Sequence, residues 1–265
     1  MEGEADPLDR LSVLVRSRTR VEILERLASS GATTQRELRD CLDASRSTIV
    51  RALSALERQG WIERTPESYR ITTSGEFVAE GLDELLETVR LTEELSAFLE
   101  WFPHGDVELD PASLRDAEVT TSTPSDPYAP ARTQTEFVRA VGRFVGFLPA
   151  IDLEGTKIVR DRIANGELTA EIVIPDEVAE TVRDEPYAPL FRDMFRTGRL
   201  SVLVVDRLPF YLGLDGDDRV QIGVADEEGI PRALLETNAE PARSWAEAYY
   251  SEHRNRGREL SIEGL

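Results

Sequence analysis

Arginine and hydroxyl side chains are concentrated in one short segment of this chain, Ser45–Arg58. Four of them share its polar side: Arg46, Ser47, Thr48 and Arg51. An arginine can donate two hydrogen bonds to a guanine in the major groove of DNA, and a hydroxyl can bond a base or a phosphate. These residue types at this spacing therefore predict a surface that contacts duplex DNA.

Two short helices are needed to position these side chains. Thr34, followed three residues later by Glu37, forms a capping box that predicts the start of the first helix. Ser45 is a good N-cap for the second, and Gly60 suits its end because glycine accepts a left-handed conformation. One apolar stripe runs along the second helix: Ile49, Ala52, Leu53 and Leu56. The pair predicts a helix-turn-helix unit.

Two short strands follow Gly60 and would form a wing that carries Arg64 and Arg70. The pattern Ser-Arg-Ser-Thr-x-x-Arg-Ala-Leu-x-x-Leu-x-x-x-Gly-Trp-Ile-Glu-Arg, followed by Tyr-Arg-Ile-Thr-x-x-Gly, resembles the winged helix-turn-helix transcriptional regulators of archaea and bacteria. On this hypothesis the DNA contacts come from Arg46, Ser47, Thr48, Arg51, Arg64 and Arg70. An ordinary packed helical hairpin with a polar outer face is the alternative.

Two further helices are predicted upstream, over Pro7–Val15 and Thr19–Ser29. Their inward residues are expected to be Leu8, Leu11 and Leu14 in the first, and Val21, Leu24 and Leu27 in the second. Cys41 falls on the apolar face of the capped helix, so we expect a small core residue. A single cysteine excludes an internal disulfide and suits a reducing cytoplasm.

The charge of the chain is strongly negative. Its 265 residues include 51 acids and 31 bases, a formal net charge of −20, and Lys157 is the one lysine. Scarce lysine with abundant Asp and Glu resembles the proteins of salt-loving archaea, which stay soluble where salt screens charge within about 3 Å. An acidic protein of ordinary salinity is the alternative. The length suffices for two modest domains.

The negative charge is unevenly distributed. Residues 1–75 hold 12 arginines and 12 acids, so the whole excess lies in residues 76–265. A neutral N-terminal domain is compatible with DNA binding, and in high salt base contacts and shape matter more because counterion release contributes less. The sequence has no run of about 18 apolar residues and no signal-peptide features at its acidic start. We therefore expect a cytoplasmic protein without a membrane partner.

A long helix with a broad apolar stripe is predicted over Glu76–Phe102. A helix packed within its own domains and a helix that pairs with a second copy both fit this pattern. We favour a homodimer, because dimeric readers place their recognition helices about 34 Å apart, one turn of DNA. A turn at Pro103–Asp106 would end the helix, and a polar linker follows as far as Asp116.

The remaining sequence predicts a mixed α/β domain. Strands are expected at Glu118–Thr123, Leu168–Ile174 and Leu200–Val205, a meander at Leu208–Leu214, Arg219–Ala225 and Arg232–Glu236, and helices at Thr133–Phe147, Pro175–Arg183, Tyr187–Thr197 and Pro241–Asn255. The third strand is nearly continuously apolar, as expected when a sheet is covered on both faces. Acidic turns separate the strands of the meander.

Short motifs in this region carry a second resemblance. They are Val119-Thr120, Asp126-Pro127-Tyr128, Leu208-Pro209-Phe210, Glu236-Thr237 and Trp245-Ala246-Glu247 with Tyr249-Tyr250. The region is similar to the middle domain of the methanogenesis-regulator family, and more distantly to TrmB-like sugar-responsive regulators, over about residues 117–258. The resemblance implies a cytoplasmic, homodimeric one-component regulator with a domain that senses a small-molecule effector.

The predicted fold class is α+β, in three parts. Residues 1–75 form a DNA-binding winged helix-turn-helix, 76–116 a connecting helix and linker, and 117–265 an α/β effector-sensing domain. Candidate ligand contacts lie at strand ends or in loops, where α/β domains place pockets: Asp126, Tyr128, Glu171, Phe210, Thr237 and Trp245. The alternative is that Phe210 and Trp245 are core residues and that Asp126 and Glu171 are solvated.

Signals for catalysis are weak. His104, His253 and the lone cysteine form no zinc-type cluster, and no His-x-Lys pair is present for the phosphodiesterase chemistry of some related α/β folds. Nucleophile-elbow, phosphate-loop and dinucleotide motifs are also missing. We expect no enzyme activity, cofactor or metal. The alternatives are a winged helix that binds a protein instead of DNA, and an enzyme fused to a regulator.

Overall fold

The computed structural model describes residues 6–103, 107, 109–216 and 219–261. The chain divides into two compact units, Met1–Val89 and Arg90–Leu265, so the predicted connecting segment 76–116 is shared between them. Most of the predicted turn at Pro103–Asp106 lies outside the described residues. In the described ranges, no helix combines the length and the apolar character needed to cross a bilayer.

The first unit consists of helices and one hairpin. Its elements are α1 (Pro7–Val15), α2 (Arg18–Ser30), α3 (Gln35–Cys41), α4 (Arg46–Arg58), β1 (Ile62–Arg64), β2 (Tyr69–Ile71) and most of α5 (Thr73–Glu94). Strands β1 and β2 pair antiparallel, with Ile62 opposite Ile71 and Arg64 opposite Tyr69. This order, in which helices α2, α3 and α4 are followed by a hairpin, is the predicted winged helix-turn-helix.

The predicted ends of α3 and α4 are confirmed. The Thr34 hydroxyl accepts the Glu37 N–H at 3.2 Å, and the Glu37 carboxylate accepts the Thr34 N–H at 2.7 Å, which completes the capping box. The Ser45 hydroxyl accepts the Thr48 N–H at 3.2 Å. Gly60 has a φ of +73°, the left-handed conformation expected after the last turn of α4.

One apolar core holds the first unit together. Its fully buried members come from each of the first four helices and the hairpin: Leu14, Ile23, Leu24, Leu27, Leu38, Ile49, Leu53, Leu56 and Ile62. Burying each such side chain is worth about 1.5–3 kcal/mol, so the apolar stripe of α4 fixes which side of that helix faces outward.

Two predicted core residues of this unit are exposed instead. Leu8 is 72% exposed, because it lies six residues before Leu14 and hence roughly 120° from it around α1. Cys41 is also exposed, since the seven-residue helix α3 ends at Cys41 and buries only Leu38. Both predictions were wrong because an apolar type alone does not place a residue on the packed face.

The predicted single helix Glu76–Phe102 is interrupted. Helix α5 ends at Glu94, and a separate short helix, α6 (Ser96–Leu99), follows after Leu95, whose ψ of 7° departs from helical geometry. Leu95 and Phe98 are both buried in the core of the second unit. The bend follows from that packing, which a helical stripe in the sequence does not reveal.

The second unit is built on one sheet. Beyond α6 its elements are a 3₁₀ turn (Pro111–Leu114), β3 (Glu118–Thr121), α7 (Ala129–Ala140), β4 (Arg143–Phe147), α8 (Leu153–Ala164), β5 (Thr169–Pro175), α9 (Asp176–Thr181), α10 (Tyr187–Arg196), β6 (Leu200–Val205), β7 (Tyr211–Leu214), β8 (Val220–Ala225), β9 (Pro231–Thr237), α11 (Glu240–Arg256) and β10 (Arg258–Glu259). The strand order is β10-β6-β5-β4-β7-β8-β9-β3. Strands β4, β5 and β6 are parallel, and the meander β7–β9 continues antiparallel.

Each face of this sheet has its own apolar core. One core packs α7, α8 and α10 against the sheet and contains Phe144, Ile172 and Phe191. The other includes α6 and α11 and contains Phe98, Phe147 and Leu212. Alternation along β4, with Phe144 on one side and Phe147 on the other, supplies both cores from one strand.

The prediction of one helix over Thr133–Phe147 is wrong for its second half. The chain leaves the helical conformation at Val141, with ψ at 149°, and Arg143–Phe147 becomes strand β4 at the centre of the sheet. Val145 pairs with Glu171 of β5 and with Leu214 of β7. A short apolar run fits helical and strand periods alike, so the pairing of distant strands decides the outcome.

Candidate nucleic-acid interface

The outward edge of α4 is the principal candidate site. The buried stripe of α4 faces the core of the first unit, which leaves Arg46, Ser47, Val50 and Arg51 exposed along the opposite side. Ser54 continues this edge at the spacing of one helical turn and is also exposed. The sequence also predicts Val50 on the exposed side of this helix, although not as a DNA contact. Ser54 is not predicted there, although its helical spacing from Val50 and Arg51 would have indicated it.

The predicted contact residues on α4 differ in how freely they can bond a ligand. The Arg51 Nε–H donates to the Ser47 carbonyl at 3.3 Å, and Arg51 as a whole is exposed. Arg46 has no side-chain partner within the described part of the chain. Thr48 is half-buried, and its hydroxyl lies 2.9 Å from that of Ser45, so it takes part in the cap.

The wing presents one open arginine and one paired arginine. Arg64 is exposed at the end of β1. Arg70 lies opposite Glu63 in the hairpin and forms an ion pair with it, so Arg70 is less available than predicted. The turn is closed by the Thr65 hydroxyl, which accepts the Ser68 N–H at 3.1 Å. The two wing arginines are therefore not equivalent as phosphate or base contacts.

A third segment extends the hairpin. Thr33 and Tyr69 exchange two backbone hydrogen bonds of 2.9 Å, which join the loop before α3 to β2. The Arg10 guanidinium donates to the Gln59 side chain at 3.1 Å and to its carbonyl at 2.9 Å, at the end of α4. These contacts tie the wing to the loop before α3 and tie α1 to the end of α4.

The six candidate ligand residues lie in several separate surroundings in the second unit. Asp126 is joined to Arg132 by a hydrogen bond of 2.7 Å, and this bond lowers the pKa of the Asp126 carboxyl. Tyr128, directly before α7, is 66% exposed. The Thr237 hydroxyl is buried and accepts the Ala239 N–H at 3.1 Å, which orders the entry to α11.

Glu171 belongs to a polar cluster between β5 and α11. Its carboxylate accepts a hydrogen bond of 2.8 Å from the Arg254 guanidinium and another of 2.8 Å from the Tyr250 hydroxyl. The bond from Arg254 lowers the pKa of Glu171, while burial raises the pKa of Tyr250. Both groups therefore hold their charge states at neutral pH, and their contacts tie α11 to the sheet.

Phe210 and Trp245 lie next to each other, as expected if the alternative interpretation of them as core residues applies. Their ring centroids are 6.2 Å apart, and Tyr249 lies 5.5 Å from Phe210 and 5.4 Å from Trp245. Phe210 is buried and Trp245 is half-buried. This geometry is that of an aromatic cluster in which Trp245 and Tyr249 pack against one core of the second unit.

Acidic and histidine side chains do not converge on a metal site: the described ranges contain no group of three or more potential ligands. The geometry of the two units defines a winged helix-turn-helix protein with a separate α/β domain.

Both units match domain families of known proteins. Residues 8–94 match the family described as the HVO_A0261 N-terminal domain, and residues 127–256 match the middle domain of the methanogenesis regulatory protein FilR1. The N-terminal region is therefore similar to the HVO_A0261 N-terminal domain, and the second unit is similar to the FilR1 middle domain. The predicted resemblance to archaeal regulators is confirmed in both parts.

Similarity to solved structures is low. TrmBL2, an archaeal chromatin protein whose structure is described as showing a novel mode of DNA binding, is 13% identical, with a TM-score of 0.44 over 95% of this chain and 99% of that chain. Nuc from Salmonella typhimurium, a phospholipase D family member, and NucT from Helicobacter pylori are 10% and 9% identical, each with a TM-score of 0.41 over 55% of this chain and 99% of theirs. Such scores assign no function. No curated protein matches the sequence significantly.

Proposed function

We propose that this chain is a one-component transcriptional regulator that binds specific duplex DNA through its winged helix. The observation that carries the proposal is the exposed edge of α4, where Arg46, Ser47, Val50 and Arg51 stand free of the core. Arginine suits guanine, the hydroxyl suits bases or phosphates, and an exposed valine suits the methyl group of thymine. The FilR1-type match of the second unit supports a regulatory role over a catalytic one.

Charge supports the same proposal. Residues 1–75 are neutral within a chain of net charge −20, so the domain proposed to bind DNA adds no net repulsive charge of its own. The acidic excess and the single lysine support the proposal that the protein works in a cytoplasm of high salt. In molar salt, phosphate contacts contribute little, and the direct base contacts of α4 become decisive.

Arg51 provides the sharpest test. Operators would first be selected from random duplexes with the full chain in molar KCl, and the affinity for a selected operator measured by fluorescence anisotropy. Arg51→Ala is expected to weaken binding by ~1–3 kcal/mol if the guanidinium pairs with a guanine. Arg196→Ala, which removes the same charge from an exposed position on α10, serves as the matched control and should bind like wild type.

Two outcomes would contradict the proposal. Equal affinity of wild type and Arg51→Ala for the selected operator would remove the assigned role of this residue. Failure to enrich any sequence from the random pool would favour the alternative, a winged helix that binds another protein.

A homodimer is part of the proposal. Helix α5 carries an exposed row at four-residue spacing, Phe77, Gly81, Leu85 and Val89, of which Phe77 is 71% exposed. Rows at this spacing form the ridges by which helices pack on each other. Gly81 has no atom within 4 Å of the position of a Cβ, so the centre of the row is open to close approach. We assign this row to contact with a second copy, which would set the half-site spacing.

The assigned dimer contact on α5 is tested by measuring the molar mass of the protein in solution. Leu85→Glu should convert the dimer to a monomer in analytical ultracentrifugation in molar KCl, because a buried unpaired carboxylate is costly. The neighbouring Glu84→Gln is the control and should leave the mass unchanged. A monomeric wild type, or a Leu85→Glu variant that remains dimeric, would refute the assignment.

We further propose that a small molecule bound by the second unit controls DNA binding. Such control requires that the ligand bind two conformations with different affinity. The candidates from sequence remain Asp126, Tyr128, Glu171, Phe210, Thr237 and Trp245. Both carboxylates among them are already paired, Asp126 with Arg132 and Glu171 with Arg254.

A further inference from the structure

An apolar cavity lies in the second unit, between the sheet and helices α7, α8 and α10. Its volume is about 130 Å³. The apolar walls include Phe144, Ile151, Val159, Ile172, Phe191 and Met194, and none of the six ligand candidates from sequence contributes. For comparison, an engineered apolar cavity of roughly 150 Å³ in another protein binds benzene. The space therefore suits one small ring.

Three aromatic side chains are among the residues that line the cavity: Phe144, Phe191 and Tyr211. Phe144 and Tyr211 are stacked with ring centroids 6.5 Å apart, and Phe191 joins them among the lining residues. Met194 adds a polarisable sulfur, which makes favourable contacts with ring edges. Aromatic and thioether walls favour a flat aromatic ligand over a branched aliphatic one.

Most polar groups of the cavity already have partners. The Tyr211 hydroxyl donates to the Gln221 side chain at 3.4 Å, and the Gln221 amide donates to Glu236 at 2.7 Å. Burial raises the pKa of Tyr211, so this hydroxyl stays protonated. The Thr156 hydroxyl donates to the Asp152 carbonyl at 2.7 Å.

Gln134 differs from these hydrogen-bonded polar groups. Its amide has no hydrogen-bond partner among the residues that the structure describes, although it lines the cavity. The amide lies against β8, where a Cβ at Gly223 would be 2.6 Å from the Gln134 Nε2. The absence of a side chain at Gly223 thus makes room for this amide beside Tyr211. An amide in such a place is available to bond one polar atom of a ligand.

The charge at the cavity excludes an acidic ligand. Asp152 is exposed, lines the cavity, and caps α8 by accepting the Gly155 N–H at 2.7 Å. No lysine or arginine is among the residues that line it. An anion would meet a carboxylate and an apolar wall, and both disfavour it.

We propose that this cavity binds a small uncharged aromatic molecule with a single polar group, of the phenol class. The ring lies among Phe144, Tyr211 and Phe191, and the polar atom bonds the Gln134 amide. The role of this cavity as an effector site depends on the regulatory function proposed above. The binding itself depends only on the apolar walls and the free Gln134 amide.

Binding is tested on the full chain in molar KCl by ligand-observed NMR and calorimetry, with phenol, toluene and benzoate as probes. Phenol should bind saturably, and benzoate should bind at least about tenfold more weakly because it is charged. Gln134→Leu should weaken phenol about three- to tenfold, the effect of one hydrogen bond, and leave toluene within about twofold. Ala170→Leu, which fills part of the cavity, should weaken phenol and toluene alike.

Ala140→Leu, at the exposed end of α7, is the control and should bind every probe like wild type. If Ala170→Leu does not fold, the comparison of phenol with toluene in wild type and Gln134→Leu decides the question. The proposal is overturned by absence of saturable phenol binding at roughly 10 mM, by benzoate binding more tightly than phenol, or by equal losses for phenol and toluene in Gln134→Leu.

Operator binding is measured in parallel. An operator affinity that phenol changes in wild type but less in Gln134→Leu supports the effector role, and an unchanged affinity with phenol bound overturns that role. Intact operator binding without phenol binding overturns the cavity proposal alone. Phenol binding by a chain that selects no DNA overturns the proposed regulatory function alone.

Discussion

Among the glycines described in the winged-helix unit, Gly75 has the least room for a side chain, and its replacement gives a quantitative prediction. Gly75 lies in the first turn of α5, where a Cβ would be 2.0 Å from the Trp61 carbonyl oxygen and 2.8 Å from the Ile71 Cγ1. A close carbon–oxygen contact needs about 3.3 Å. Gly75→Ala must therefore move α5 away from the wing by more than about 1 Å.

The cost of this movement follows from the contacts it disturbs. Thr72 N donates to the Trp61 carbonyl at 3.0 Å, and the Thr72 hydroxyl donates to the Gly60 carbonyl at 2.6 Å. Overpacking costs about 1–3 kcal/mol and one weakened hydrogen bond about 1 kcal/mol. The better helix propensity of alanine returns up to about 1 kcal/mol. We expect Gly75→Ala to destabilise the unit by about 2 kcal/mol.

Gly81→Ala is the matched control in the same helix. No atom of the same chain lies within 4 Å of the Cβ position there. Both variants are made in the Leu85→Glu background, which removes the proposed dimer contact, so that only the propensity gain of up to about 1 kcal/mol applies to Gly81→Ala. Hydrogen exchange of backbone amides in α2 and α4, followed by mass spectrometry at one protein concentration, measures both variants. Protection should fall about thirtyfold in Gly75→Ala and rise up to about fivefold in Gly81→Ala. Equal protection in the two variants would refute the steric reasoning.

Two other predictions concern a cap and a carboxylate. Ser45→Ala removes the N-cap of α4 and should destabilise the unit by about 1 kcal/mol, seen as faster exchange in α4, whereas Ser45→Asp should keep wild-type protection. The lowered pKa of Glu171 means that its ion pair with Arg254 stabilises the second unit above the ordinary Glu pKa of 4.5 and that this contribution is lost as the pH falls. Glu171→Gln should therefore lower the melting temperature at neutral pH and flatten its decline in acid. An unchanged acid profile would show that this carboxylate does not couple stability to pH.

Local rules explain why the first unit was largely predictable. The capping box of Thr34 and Glu37, the cap at Ser45 and the left-handed Gly60 act within three or four residues, so the sequence states them directly. The apolar stripe of α4 then decides which of its side chains face outward. The pairing of Arg70 with Glu63 was not foreseen, because opposition across a hairpin depends on its register.

The second unit shows where such rules stop. Thr133–Phe147 was interpreted as one helix, yet Arg143–Phe147 is the strand that joins the parallel half of the sheet to the meander. A run such as Phe-Val-Gly-Phe has no period of its own, and its conformation follows from partners 26 and more residues away, as in the pairing of Val145 with Glu171. The predicted ligand residues depend on predicted strand ends and loops, and the sequence pattern does not predict strand β4.

By itself, the sequence determined the two-domain α+β class, the resemblance to archaeal regulators and the outward edge of α4. Only the tertiary structure decided the central strand β4, the bend at Leu95 and the cavity beside Gln134. The reason is physical: caps and stripes are interactions between near neighbours in the chain, whereas a sheet order and a cavity arise from contacts between segments that are distant in sequence.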